Sequence, residues 1–170
     1  QVFLLLAITP QLLGQEAPRH EALARLARAY LDHGVPDLAW GTFRRARGDA
    51  PTPAIRVELA LEEVRLGKDH RETGASLRIL DEVASERVEP PSAALVQLER
   101  AEALRALGRG DQAEQALWTA LQNGEPVWVG QQVVDRLLAL WQEQGTLPQK
   151  IAALEASNPA GNPEDQRLLS

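Results

Sequence analysis

Residues 20–51, HEALARLARAYLDHGVPDLAWGTFRRARGDAP, decide how this chain folds. Leu23, Leu26, Ala27 and Tyr30 recur at spacings of three and four, which puts them on one stripe of a helix. Gly34 ends that helix, as a residue able to take positive φ beyond a helix C-terminus. Pro36 suits the first turn of a second helix, where its missing N–H is not needed. Ala39, Phe43 and Ala46 then align on one face, and Gly48, Pro51 and Pro53 break the chain. The stretch reads as two helices joined by a glycine turn. Small residues sit where the axes approach (Ala27 toward Ala39), and the larger Tyr30 and Phe43 are left to fill the gap to a neighbour.

Working outward, the same phrase returns. Helices are predicted over residues 17–33, 36–47, 54–66, 72–86, 92–107, 111–122, 127–144 and 148–156. The inter-helix glycines Gly34, Gly67, Gly108 and Gly145 are spaced by 33, 41 and 37 residues. A period in the thirties is the mark of a helical-hairpin array, in which one hairpin cannot bury its own apolar face and neighbours stack to finish it. Ala101 and Ala113 repeat the small-residue approach, and Leu104, Leu117 and Trp141 repeat the bulky filling.

Composition agrees. Ala and Leu supply 53 of 170 residues and aromatics 4%, so the chain is rich in helix formers and poor in the residues that favour sheets. The expectation is an all-α fold. The chain has no cysteine, which removes disulfides, thiolate metal sites and cysteine nucleophiles together. His20, His33 and His70 form no HxxxH or HExxH pair, so no metal site is expected; they read as solvent-facing histidines near helix ends. Net charge is −6, with 15 basic and 16 acidic side chains in residues 1–110 and 3 and 8 in residues 111–170. No domain-wide basic field exists, so nucleic acid is not an expected partner.

Residues 1–14 form a separate apolar segment. Val2–Ile8 is too short to span a bilayer, so no integral membrane span is expected. The run fits either the remnant of a signal peptide, with Gly14 last before cleavage, or a helix capping the first repeat. The first alternative implies export to a periplasm or envelope, and the second leaves the chain cytoplasmic. Residues 15–160 hold the repeats. Residues 161–170 begin a further helix or a tail.

From His20 onward the chain resembles the tetratricopeptide repeat family, whose unit is about 34 residues. Leu23, Leu26, Ala27, Tyr30, Gly34, Ala39, Phe43, Ala46 and Pro51 occupy that family's bulky, small, glycine, aromatic and proline slots without a gap. The third copy, through Ala101, Leu104, Gly108, Ala113, Leu117 and Ala120, matches nearly as well and departs at the seventh slot, which holds Arg100. The second copy is looser, with extra residues between Gly67 and Ala75. The fourth keeps Leu137, Trp141 and Gly145 but has a weak second helix. The resemblance implies a bacterial right-handed superhelical α-solenoid of three to four hairpins, whose first helices line a concave groove. Carried over slot by slot, the lining is Glu21, Ala24, Arg28, Leu31 and Asp32, then Ala54, Val57, Leu61, Val64 and Arg65, then Leu95, Leu98, Glu102 and Arg105. The Lys/Asn clamp that some members use for terminal carboxylates is absent, since Ala24 and Arg28 stand in its first slots.

The remaining motifs read as structure. Arg47-Gly48-Asp49 and Arg109-Gly110-Asp111 fall at expected turns, where Gly breaks one helix and Asp caps the next. Gly108-Arg109-Gly110 has no strand before it and no GK[ST] after it, so it is not a phosphate cradle. Paired carboxylates such as Glu62-Glu63 and Asp81-Glu82 point to different helix faces and are expected to decorate solvent. No nucleophile, base or cofactor constellation emerges, and neither an enzyme nor a cofactor is expected. Two functions remain open: a scaffold binding a protein or peptide partner in its groove, or an N-terminal spacer of a larger exported protein whose activity lies elsewhere.

Overall fold

The structure, a computed structural model, describes residues 17–68, 73–122 and 127–157. The apolar segment 1–14, the tail 161–170 and His70 lie outside the described residues. Among those described there are eight helices and no strand, so the fold is all-α. The chain divides into two compact units, residues 1–72 and 73–170.

The first unit holds α1 (Arg19–Asp32), α2 (Pro36–Gly48) and α3 (Pro53–Leu66). Leu23, Leu26, Ala27 and Tyr30 are buried as their spacing requires, and so are Ala39, Phe43 and Ala46 of α2. Ala27 and Ala39 are both fully withdrawn from water, which lets the α1 and α2 axes approach. Trp40 stacks beside Phe43 with ring centroids 6.5 Å apart. The α1–α2 turn satisfies the last carbonyls of α1 through two bonds: Gly34 N–H donates to Leu31 O and Val35 N–H to Tyr30 O, each 2.9 Å. This closure needs a left-handed residue, and Gly34 has φ +70. α3 starts where the Thr52 hydroxyl accepts from Ile55 N–H and Pro53 takes the first turn. Arg47 Nε lies 3.0 Å from Glu63 Oε2, a nearly waterless ion pair joining α2 to α3, so Glu63 does not decorate solvent as expected: the rotation of α3 turns it toward α2.

The second unit holds α4 (Thr73–Val83), α5 (Ser92–Ala106), α6 (Gly110–Gln122), α7 (Val127–Glu143) and α8 (Leu147–Ser157). α5 and α6 form a hairpin with Ala101, Leu104, Ala113, Leu117 and Ala120 buried. The α1–α2 turn chemistry recurs twice: Gly108 to Arg105 with Arg109 to Leu104, and Gly145 to Gln142 with Thr146 to Trp141. Gly108 and Gly145 also have positive φ. In all three turns the carbonyl that accepts from five residues on belongs to the bulky residue of the phrase: Tyr30, Leu104 or Trp141. Trp141 is buried against Trp118, and the Lys150 ammonium lies over its ring while bonding Glu114 at 2.7 Å.

The second copy of the phrase departs from the others. Gly67 closes α3 at φ −84, with a helical bond to Glu63 O, and not through the left-handed turn. The boundary between the two compact units falls at residues 72/73, inside the expected second hairpin. α4 ends at Val83 and not at the expected residue 86. No glycine follows it, and Pro90-Pro91 downstream forces extended backbone on the approach.

Candidate functional site

In the first unit α1 and α3 flank a groove of about 500 Å³. Its α1 wall is His20, Glu21, Ala24, Arg25 and Arg28, and its α3 wall is Ile55, Glu58, Leu59 and Glu62. Ala24 and Leu59 are buried and belong to the core with Leu23, Ala27 and Phe43; Ile55 packs on the same cluster. The floor is therefore apolar and the rim charged. At one end Arg28 grips Glu62 through one guanidinium edge, Nε donating to Oε1 and Nη2 to Oε2, the latter at 2.7 Å. These residues are 34 apart, one repeat. The Glu62 carboxylate, by accepting those bonds, raises the Arg28 guanidinium above its ordinary pKa.

In the second unit the corresponding face, between α5 and α7, is crossed by a ladder. Glu102 accepts from Arg105 on its own helix at 3.1 Å and pairs with Arg136 of α7. Arg105 also donates to Glu143, 38 residues on, at 2.6 Å. Burial alone would raise the Glu102 carboxyl, but Arg136 and Arg105 together hold it below the ordinary range. The hydrogen bond to Glu102 raises Arg105 in turn.

Of the lining residues expected from the sequence, Glu21, Ala24 and Arg28 come together in the groove. Asp32, Ala54 and Arg65 are exposed and Leu31 and Leu95 half-buried, but none of them lines it. Glu102 and Arg105 belong to the ladder. Val57, Leu61, Val64 and Leu98 are buried, so they build core and present nothing to a partner in this structure. The physical reason is a one-residue offset on α3. Its core stripe is Val57, Ala60, Leu61 and Val64, which turns Glu58 and Glu62 toward α1. Slots carried over from another sequence place Val57 and Leu61 there.

Sequence reasoning missed Ile55, Glu58, Leu59, Glu62, Arg25 and His20. A usable signal existed for one of them: Arg28 and Glu62 are opposite charges one period apart. His20 also corrects an expectation, because it is buried at the start of α1 and does not face solvent, whereas His33 is exposed. The first Arg-Gly-Asp triplet is held in the helix-end structure, with Arg47 committed to Glu63. The second opens α6, with Gly110 as its first residue. Among the described residues no group of three His, Asp or Glu is placed to hold a metal ion. No described helix is long and apolar enough to cross a membrane. No family model matches the chain, and no curated protein matches it either.

Proposed function

We propose that this chain is a non-catalytic scaffold of the tetratricopeptide-repeat kind, a right-handed superhelical stack of helical hairpins that binds a protein or peptide segment on its first-helix faces. The observation that carries this reading is the groove between α1 and α3, apolar at Ala24, Ile55 and Leu59 and charged at its rim. Three further features support the repeat architecture. The glycine turn recurs with the same two hydrogen bonds at Gly34, Gly108 and Gly145. Side chains 34, 36 and 38 residues apart bond to one another. Alanines stand at the close approaches of both well-formed hairpins.

A groove of this volume takes a few side chains, and a rim of fixed charges suits a polar backbone with alternating anchors. Hydrogen exchange tests the reading. A peptide selected for binding to the chain should slow amide exchange in α1 and α3 and leave α6 unchanged. Protection confined to other helices would overturn the assignment of the groove. The stacked arrangement is tested by solution scattering, where the radius of gyration should exceed the roughly 15 Å of a compact domain of this length.

A further inference from the structure

The groove between α1 and α3 has an unbalanced rim and an imidazole in its lining. Its α3 wall carries ionisable groups of one sign only, Glu58 and Glu62. Across the whole lining, three carboxylates (Glu21, Glu58, Glu62) face two guanidinium groups (Arg25, Arg28). Arg28 and Glu62 neutralise each other, which leaves Glu21 and Glu58 against Arg25 alone. These three are exposed, and among the described residues none of them forms an ion pair.

His20 lines the same groove and is 8% exposed, with no hydrogen-bond partner among the described residues. An imidazole carries at least one N–H donor and, when neutral, an acceptor nitrogen. The His20 ring nitrogens are not among the buried polar atoms sealed off without a partner, so a bond to a ligand in the groove would replace one to water.

Resting on the scaffold reading above, we infer that this groove selects a peptide segment carrying a lysine or arginine beside an aliphatic residue. The aliphatic side chain lies on Ala24, Ile55 and Leu59. The cation lies against Glu58 and Glu21, and His20 bonds the peptide backbone. An acidic segment is rejected because its carboxylates would meet Glu58 and Glu21 with only Arg25 to compensate.

The test is a randomised dodecapeptide display library selected in parallel on the full chain and on its Glu58→Gln and Glu58→Lys variants. Both substitutions are at an exposed position, and equal melting temperatures confirm that the variants fold. On the natural chain, Lys or Arg next to Leu, Ile or Val should be enriched severalfold over the library. That bias should fall away on Glu58→Gln and give way to acidic peptides on Glu58→Lys. For one selected peptide, His20→Phe should weaken binding by about two- to tenfold, the scale of one hydrogen bond.

Selected peptides without a basic bias, or a bias that both Glu58 variants retain, would overturn this inference and leave the scaffold reading standing. No enrichment on any of the three chains, nor on one shortened to begin at Gln15, would overturn the scaffold reading itself. Enrichment only on a chain shortened to begin at Gln15 would make residues 1–14 the occupant. A dimer that Glu58→Lys dissolves would make it a second copy. Either result defeats the peptide assignment.

Discussion

The α1/α3 face and the α5/α7 face are built from the same parts and do opposite things. Each sets two helices of one unit side by side, and each is spanned by an Arg–Glu contact, between residues 34 apart in the first and 38 apart in the second. Between α1 and α3 a single bidentate pair, Arg28 with Glu62, closes one end and leaves a groove of about 500 Å³. Between α5 and α7, Glu102 and Arg105 reach Arg136 and Glu143 and lace the face together. The difference lies in charge matching at one-period separation. Where opposite charges face each other the helices are bridged; where Glu58 meets no base, a site is left open.

The links also differ in burial, which gives the comparison its largest measurable consequence. The Arg47–Glu63 pair of the first unit has side chains 8% and 1% exposed, whereas the ladder is half in water. Arg47→Met strands the Glu63 carboxylate and should cost about 3–5 kcal/mol in urea unfolding. Arg47→Met combined with Glu63→Leu should recover most of that loss. Full stability in the single variant would show that the pair does not hold α2 to α3.

Next in size, Ala39→Trp should overpack the α1–α2 hairpin and cost roughly 1–3 kcal/mol, and Ala113→Trp should do the same to α5–α6. Thermal melts that registered only one of the two would break the equivalence of the hairpins. Gly34→Ala isolates the turn, because nothing lies near an added Cβ and only the positive φ resists it. The strain should cost about 1–2 kcal/mol, whereas Gly41→Ala, inside α2 with equally open surroundings, should stabilise by roughly 0.5–1 kcal/mol.

Smallest is the ladder. Arg105→Ala should cost about 0.2–1 kcal/mol, less in high salt, since these charges are screened. Its pH dependence has a definite sign. Glu102 sits below the ordinary carboxylate value of 4.5, so near that value the unfolded chain binds more protons than the folded one. The contribution is complete above 4.5 and is lost as pH falls through the depressed folded value. Melting curves of the natural chain and Glu102→Gln should therefore converge on acidification. Curves that stay apart at low pH would assign the effect of the substitution to packing and not to charge.

The hairpins were legible because their determinants are local. Apolar spacing at Leu23, Leu26, Ala27 and Tyr30, a proline at position 36 and a glycine at position 34 act within a few residues of themselves. The second copy was only half legible. Gly67 looks like the other turn glycines, yet its backbone stays right-handed at φ −84 and its N–H makes a helical bond to Glu63 O. The lining of the groove was less legible still. Its α3 wall depends on which way a short helix is rotated about its own axis, and a one-residue offset exchanges Val57 and Leu61 for Glu58 and Glu62.

Helix content, the capping and turn residues and the small-residue approaches follow from near-neighbour sterics and burial, which any short window of this chain already contains. Which side chains share a face and which charges find partners depend on helices brought together from distant segments. A rotation of one residue reverses what a helix offers its neighbour, and packing alone chooses it.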